Sequence, residues 1–342
     1  MNKRKKLIFY SSFIVILLLV VFIIGEIGIR LLGFKPDNVD PRTLVRVVPG
    51  NKFYQPDSNL GYSNIPGKFR VFLTGGYSFS AIHGENTLRI THPQEEDSLF
   101  LPKEKIWILG CSNTYGWSIN DNDIYPWRLQ LAFPQYEVVN YGVCGYGTVH
   151  SLLQLKHDLA VRQKPKLVIY SYFYMHDDRN TLTVNRRKAA TKYNFLGPIC
   201  QPYASFDNDG RLVIMKPVDV DYNPVPFDDV SALIHFLERV YNTLEARFSN
   251  SKEVTRAIID EMYKICKKEN IVFVLAGIDD NSGTTEMLKY FQSRGVPTVD
   301  ISVNNEGKKY NNLPFDSHPN SLAHEVYSQK LENFIMKNNL LH

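Results

Sequence analysis

Two segments far apart in the sequence carry residues that could do nucleophilic chemistry together. Ser112 lies in GCSNTYG, directly after a short apolar run, where Gly110 permits a tight turn and nearby backbone N–H groups can face an oxyanion. Asp316 and His318 stand two residues apart in LPFDSHPN, near the C-terminus. A serine nucleophile needs a base, and the base needs an anionic partner that fixes its tautomer. Taken singly, each segment also has an ordinary explanation, since serines cap helices and aspartates cap loops.

The elements around these segments favour the chemical explanation. From residue 105 onward, apolar runs alternate with helical stretches, a pattern that predicts parallel β-α-β units buried on both faces. Sites in such sheets lie at the carboxyl ends of the strands, and both segments fall in loops at that edge. The predicted strands are Ile106–Leu109, Tyr136–Gly142, Lys166–Phe173, Ile271–Ile278 and Val296–Ser302. The predicted helices are Tyr125–Ala132, Ser151–Arg162, Val230–Arg247, Lys252–Lys268, Thr284–Ser293 and Ser321–Met336.

The two segments resemble conserved blocks of the SGNH (GDSL-like) hydrolase superfamily. GCSNTYG is similar to the first block, G-D-S-x-T-x-G, and DSHPN to the last block. VVNYGVCGYGT resembles the second block, with Gly145 following an asparagine that ends a strand. The resemblance implies a serine esterase in which Ser112 is the nucleophile, His318 the general base and Asp316 its orienting acid. It also implies that the backbone N–H groups of Ser112 and Gly145 form part of an oxyanion hole, with no cofactor and no metal.

Three departures from the family pattern stand out. Cys111 replaces the aspartate of G-D-S, and the usual Asp-x-x-His spacing is shortened to Asp-x-His. The third block should end its strand with an asparagine that donates to the oxyanion, but this chain has YFYMHDDRN. We expect His176 to take that role, because an imidazole N–H can donate as an amide does. Asn180 is a more distant alternative, whereas an ionised Asp177 would repel an oxyanion.

The resemblance also implies the architecture of residues 104–342. The expected fold is a three-layer α/β/α sandwich around a five-stranded parallel sheet, SGNH/flavodoxin-like, with strand order 2-1-3-4-5. An insertion at about residues 181–228 contains a predicted hairpin, ASFDNDGRLVIM, with Asp209-Gly210 as its turn. This insertion could determine specificity or simply elaborate the surface. Residues 34–103 form a predicted β-rich extension with runs at Leu44–Val48 and Phe69–Leu73 and turns at Pro56-Asp57 and Pro66-Gly67.

Residues 1–33 predict a basic tail and a membrane anchor. Leu7 to Gly25 carry no charge, and these nineteen residues give a helix of roughly 28 Å, close to the hydrocarbon thickness of a bilayer. The preceding cluster from Lys3 to Lys6 predicts a cytoplasmic N-terminus and an extracytoplasmic catalytic domain. A cleaved signal peptide and a buried core helix are the alternatives, but no small-residue cleavage site follows. That cluster accounts for the net charge of +4, so no basic stripe for nucleic acid remains.

The function expected from these features is deacylation, with acetyl groups of an envelope or extracellular carbohydrate as the leading substrate. An O-acetyltransferase differs only in its acyl acceptor, and a lipid esterase or thioesterase is a further alternative. A catalytically silent envelope-assembly protein is the alternative outside enzymes. Aromatic residues near the predicted site, Tyr115, Trp117 and Tyr146, would suit sugar stacking or a core. Cys111 and Cys144 could form a redox-sensitive pair or be two small buried side chains.

Overall fold

The computed structural model describes residues 3–37, 45–96, 99, 103–304 and 307–341. The strands are β1 Arg46–Val48, β2 Tyr54–Asp57, β3 Gly61–Asn64, β4 Gly67–Phe72, β5 Ser78–His83, β6 Glu104–Leu109, β7 Tyr136–Asn140, β8 Leu167–Tyr172, β9 Cys200–Phe206, β10 Leu212–Asp219, β11 Val272–Gly277, β12 Thr298–Asp300, β13 Asn311–Asn312 and β14 Asp316–Pro319. The α-helices are α1 Lys3–Leu31, α2 Ser112–Tyr115, α3 Tyr125–Ala132, α4 Thr148–Val161, α5 His176–Asn180, α6 Val184–Thr191, α7 Ala232–Phe248, α8 Ser251–Lys268, α9 Ser282–Gln292 and α10 Ser321–Lys337.

The chain divides into two compact units. One contains residues 1–41 and 222–245, and the other contains residues 42–221 and 246–342. The predicted boundaries placed residues 222–245 with the catalytic domain, whereas here they join the N-terminal helix in the first unit.

A five-stranded parallel sheet forms the centre of the second unit. Its strands lie in the order β12-β11-β8-β6-β7, and every neighbouring pair is parallel. In chain order this is 2-1-3-4-5, which confirms the predicted topology. All six residues of β8 are buried, as expected for a middle strand covered on both faces.

Side chains of β6 show how helices cover the two faces of the sheet. Ile106 and Ile108 pack in one apolar cluster with residues of α3 and α10. Trp107 and Leu109 pack in another cluster with residues of α4, α8 and α9. Successive side chains of a strand point to opposite faces, so this alternation separates two helical layers. The predicted three-layer sandwich is therefore confirmed.

The predicted extension contains β-structure of its own. Strands β1, β4 and β5 form an antiparallel sheet, and β2 pairs with β3 as a hairpin. Leu44, the first residue of one predicted run, lies outside the described residues. The turn predicted at Pro56-Asp57 is wrong, because both residues belong to β2. The chain turns after Asp57, whose carboxylate accepts hydrogen bonds from the N–H groups of Asn59 and Leu60.

The predicted insertion holds the hairpin of β9 and β10 and also helix α6, which the sequence did not predict. Leu212 pairs with Phe206, so the connection contains five residues rather than the two-residue turn expected at Asp209-Gly210. The Asp207 carboxylate accepts the N–H groups of Asp209 and Arg211 and organises this loop. Gly210 has a φ of 75°, the conformation for which glycine suits a turn.

A buried arginine joins the extension to the turn that carries Ser112. The side chain of Arg89 is fully buried, and its Nε donates to the Asp121 carboxylate at 2.8 Å. Burial opposes this charge, but attraction to Asp121 outweighs burial and raises the pKa of Arg89. The remaining guanidinium N–H groups donate to backbone oxygens of Ser80 (3.0 Å), Tyr115 (3.0 Å), Gly116 (2.6 Å) and Ile119 (2.8 Å).

Replacing Arg89 with methionine should destabilise the second unit strongly. The change leaves a buried Asp121 without its charge partner, a loss of about 3–5 kcal/mol, and unpairs several carbonyls around the Ser112 turn. Urea unfolding of the full chain in detergent micelles measures the effect. Arg70→Met removes an exposed arginine that donates to Ser78 and should cost less than about 1 kcal/mol. Equal losses for the two variants would contradict the assigned role of Arg89.

Candidate active site

Ser112 occupies a sharp turn between β6 and α2. Leu109 ends the strand, and Ser112 is the first residue of a four-residue helix that closes at Gly116. A side chain at Gly110 would collide with Thr114, and Gly116 has a φ of 86°, so glycine is required at both ends of the turn. The N–H groups of a first helical turn have no partner within the helix. Ser112 therefore presents its hydroxyl beside available backbone donors.

The structure brings Ser112, His318 and Asp316 into one hydrogen-bonded chain. Nε2 of His318 lies 3.0 Å from the Ser112 hydroxyl, and Nδ1 lies 2.7 Å from an Asp316 carboxylate oxygen. With the ring proton on Nδ1, facing the carboxylate, Nε2 is free to accept the serine proton. This order of nucleophile, base and acid is the one that general-base activation of a serine needs.

The Asp316 carboxylate is fixed as an anion by its neighbours. The same oxygen that faces the His318 ring accepts the His318 backbone N–H at 2.7 Å. Burial would raise the pKa of Asp316, but attraction to His318 and hydrogen bonds from His318 and Trp117 outweigh it and lower that pKa. The short Asp-x-His spacing thus lets one residue anchor both the backbone and the ring of its partner.

Three side chains hold the loop that contains Gly145. Successive carbonyls accept hydrogen bonds: Cys144 from the Tyr62 hydroxyl (2.7 Å), Gly145 from Arg186 (2.9 Å) and Tyr146 from Arg179 (2.8 Å). Gly145 has a φ of 86°, and a Cβ there would lie 2.5 Å from the Tyr62 hydroxyl. Because these three carbonyls are hydrogen-bonded to side chains, the Gly145 peptide has a fixed orientation.

A cavity of ≈ 310 Å³ opens at Ser112 and His318. Its walls come from the extension, the insertion and the edge of the central sheet. Aromatic and aliphatic side chains dominate, with two arginines and one carboxylate among them. Burial lowers the pKa of Arg186 to about 10, so it stays cationic at neutral pH, and burial raises the pKa of Asp279 to about 6. The residues that line the cavity include Tyr54, Tyr62, Trp117, Phe173, Arg179, Arg186, Ala189, Ala190, Tyr193, Leu196, Ile199 and Asp279.

The aromatic residues expected beside the nucleophile are only partly those that line the cavity. Trp117 does line it. Tyr115 and Tyr146 are fully buried, and their hydroxyls bond to His83 and to the backbone of Tyr62. They belong to the core, and tyrosines of the extension and insertion take their place in the cavity wall.

The structure does not bring His176 to the cavity. The chain turns after β8, and His176 begins α5 with its ring fully buried against Tyr170, Tyr172 and Phe173. Its Nδ1 lies 2.7 Å from the Tyr170 hydroxyl, and burial holds its pKa well below the usual value. Asn180 is also buried and bonds to Thr148 and Thr255. Of this segment, Arg179 faces the cavity, a role that the sequence motif did not indicate.

Several other cysteines and histidines contact structural elements outside the hydrogen-bonded chain of Ser112, His318 and Asp316. Cys111 and Cys144 are both free thiols. His150 stacks on Tyr146, and Nδ1 of His324 accepts the Tyr125 N–H. Asp37, Asp228 and His235 bring possible metal ligands within 4.8 Å of one another, and the His235 ring is hydrogen-bonded to Asp228 at 2.9 Å.

No family model and no curated protein matches this chain. It is similar to solved structures of lipolytic proteins and esterases, some of which are described as members of the G-D-S-L family. A GDSL-like lipase from Bacteroides thetaiotaomicron is 14% identical over 71% of this chain and 95% of that one, with a TM-score of 0.38. An esterase from Pseudoalteromonas is 10% identical over 69% and 99%, with a TM-score of 0.40. An acetylxylan esterase from Geobacillus stearothermophilus is 12% identical over 68% and 94%, with a TM-score of 0.38. At these identities the roles of Ser112 and His318 rest on their geometry in this chain.

Arg186→Met should lower turnover without changing apparent substrate affinity much. Losing the bond to the Gly145 carbonyl frees a peptide whose N–H we expect to face the oxyanion, so kcat should fall about 10–100-fold. Steady-state kinetics on an activated ester measures this change, and Arg186→Lys should recover part of it. Arg187→Met is the matched control, because Arg187 bonds to the Leu182 carbonyl instead. A kcat for Arg186→Met equal to that of Arg187→Met would contradict the prediction.

Asp177→Asn should make the chain more stable above neutral pH. Burial raises the pKa of Asp177 to about 7, although hydrogen bonds from Thr255 and Tyr172 oppose the shift. The unfolded chain ionises this carboxyl near pH 4, so folding loses stability as the pH rises from about 4 to 7. The variant lacks that loss and should gain about 2–4 kcal/mol at pH 8 relative to pH 4. Urea unfolding across this range measures it, and parallel profiles for both proteins would refute it.

Proposed function

We propose that this protein is a serine esterase with Ser112 as nucleophile, His318 as general base and Asp316 as the orienting acid. The observation that carries the proposal is the hydrogen-bonded chain of these residues at the mouth of a cavity, with Nε2 of His318 at 3.0 Å from the Ser112 hydroxyl. His318 is half-buried rather than enclosed in the core, and its ring meets the buried Ser112 side chain where both residues line the cavity.

The chemistry follows from this geometry. Oγ of Ser112 attacks the ester carbonyl carbon while its proton passes to Nε2 of His318. The imidazolium is stabilised by Asp316, and the oxyanion accepts from the N–H groups of Ser112 and Gly145. Collapse of the tetrahedral intermediate breaks the ester C–O bond, and His318 returns the proton to the leaving alcohol. Water then releases the acyl group by the same steps.

Arginines take the place of the missing third-block asparagine in this proposal. Arg179 and Arg186 bring positive charge to the Gly145 loop, and that charge favours an oxyanion electrostatically. His176 has no part in this scheme, because its ring lies in the core.

The proposed substrate is an acyl ester, foremost acetyl, on an envelope or extracellular carbohydrate. Tyr54, Tyr62, Trp117 and Tyr193 give the cavity flat aromatic surfaces of the kind that stack on sugar rings. With a sugar hydroxyl in place of the deacylating water, the same site would act as an O-acetyltransferase. One further observation favours a lipid esterase or thioesterase as second candidate: Ala189, Leu196 and Ile199 make part of the wall aliphatic.

We propose further that α1 anchors the chain in a membrane, with a cytoplasmic N-terminus and an extracytoplasmic catalytic unit. The described residues include one helix long and apolar enough to cross a bilayer, Lys3–Leu31, and its most apolar 18-residue window has a mean hydropathy of 3.1 and is not buried. Basic residues precede the apolar run, which favours this orientation. A signal sequence has the same length and composition, so the orientation and retention of α1 belong to the proposal.

Ser112→Ala and His318→Ala should each abolish ester hydrolysis. Removing either member of such a unit costs about 10⁴-fold or more in kcat. Hydrolysis of p-nitrophenyl acetate and butyrate by the full chain in detergent micelles measures the loss, and acetate preference would support deacetylation. Ser317→Ala is the matched control, because Ser317 lines the same cavity outside the hydrogen-bonded chain.

If the folded wild type hydrolyses these esters no faster than the uncatalysed background, the esterase proposal is refuted. In that case, transfer of acetyl from an activated ester to a sugar hydroxyl, lost in Ser112→Ala, would identify a transferase. Full biological function of Ser112→Ala would instead identify a binding protein without catalysis.

A further inference from the structure

Helix α7, Ala232–Phe248, exposes a stripe of apolar residues that a helix of a soluble protein would normally bury. The side chains of Leu237, Val240, Tyr241, Leu244 and Phe248 are all exposed, and Phe248 is 82% exposed. At about 100° per residue, these positions fall on one stripe of the helix. An amphipathic helix normally turns such a stripe toward the core.

Part of the polar side of the same helix is covered. Glu238 is buried, with 6% of its surface exposed, and accepts a hydrogen bond from the Tyr222 hydroxyl at 2.7 Å. His235 is half-buried, and its Nδ1 lies 2.9 Å from the Asp228 carboxylate. These bonds fix the rotation of α7 about its axis, and with this rotation its apolar stripe is exposed.

The start of α7 is fastened to the end of the apolar run in α1. Glu26 is the first charged residue after that run, and its carboxylate accepts the N–H groups of Ala232 and Leu233 at 2.9 and 2.8 Å and the Ser231 hydroxyl at 2.7 Å. Arg30 donates to the Val230 carbonyl at 2.9 Å. A carboxylate at a helix N-terminus satisfies orphan N–H groups and the helix dipole together. The first turn of α7 therefore lies beside the end of the apolar run of α1, where a spanning helix would leave the hydrocarbon core of a bilayer.

We infer that α7 lies in the surface of the bilayer that α1 crosses, with its apolar stripe among the lipid acyl chains. The occupant of the stripe is lipid because the lipid-facing surface of α1 continues onto it: Ile27 and Leu31 are exposed beside the fastened end, and Val230 and Leu237 follow. Tyr241 suits the headgroup level, where aromatic rings with a polar tip concentrate. Interfacial helices place such a face about 5–10 Å into the headgroup and acyl boundary. This inference rests on the proposed membrane anchor.

Tryptophans placed on the two sides of α7 test the inference in the full chain. We would compare Leu244→Trp and Phe248→Trp with Thr243→Trp, an exposed position of the same helix outside the stripe. Each variant is reconstituted in phosphatidylcholine and phosphatidylglycerol vesicles that contain a phosphatidylcholine brominated near the ester end of its chains. Bromine quenches tryptophan only at close range, and the emission of Trp107, Trp117 and Trp127 is subtracted with the wild type.

The added emission of the two stripe variants should fall by about half in brominated vesicles, as expected for a helix at interfacial depth. The added emission of Thr243→Trp should stay within roughly a tenth of its value in unbrominated vesicles, because that side chain lies above the lipid. Unchanged thermal midpoints of the three variants show that α7 keeps its fold. Equal quenching at all three positions, or none at the stripe, overturns the inference.

Leu17→Trp separates failure of this inference from failure of the anchor. Leu17 lies in the middle of the apolar run of α1, so its tryptophan is quenched by lipids brominated deep in the chain wherever α1 spans. Quenching there without quenching at Leu244→Trp leaves the anchor standing and refutes the interfacial helix. An unquenched Leu17→Trp refutes the anchor, and the inference with it.

Discussion

The buried charge of Arg89 is the constraint on which the active-site turn depends. A guanidinium that is fully removed from water must have a partner for its charge and for its N–H groups. Asp121 supplies the charge, and four backbone oxygens supply the remaining acceptors. Three of those oxygens belong to residues 115–119, directly after Ser112. The turn that carries Ser112 is thus held by an ion from the extension, and the extension supports the arrangement of the candidate site.

Much of this architecture could be predicted because its signals are local. Runs such as Lys166–Phe173 are rich in β-branched and aromatic residues, which indicates a strand, and β8 is buried at every position. Helix α3 has the predicted bounds, Tyr125–Ala132. The predicted Asp209-Gly210 turn lies within a connection longer than expected, and the turn predicted at Pro56-Asp57 is displaced to the residues after Asp57, both for the same physical reason. Dipeptide signals do not report side-chain acceptors such as Asp207 and Asp57, which organise longer turns a few residues away.

The same distinction between local signals and contacts from distant residues applies to the candidate site. Ser112, Asp316 and His318 sit in short motifs that resemble blocks of a known family, and the resemblance implied which of them would meet. His176 was expected at the oxyanion because an imidazole N–H can donate as an amide does, but donor chemistry does not determine where the side chain points. The chain turns after β8, and the ring enters the core. Arg186 lies outside any motif, and Arg179 lies in the third-block segment at a position to which the motif assigns no role. Their long side chains reach the Gly145 loop from another part of the chain, and no local pattern reports where a guanidinium ends.

Helix α7 shows why a correct sequence pattern can still leave function undetermined. The sequence predicts a helix at Val230–Arg247, and a helix is present there. Periodicity reports that two faces differ, but it does not say which face is covered. That choice is made by Tyr222, Asp228 and Glu26, whose bonds set the rotation of α7 and the position of its first turn. In water, exposing a stripe of leucine, tyrosine and phenylalanine would oppose folding. In the placement that we infer for α7, lipid covers the same stripe, so its exposure to water no longer opposes folding.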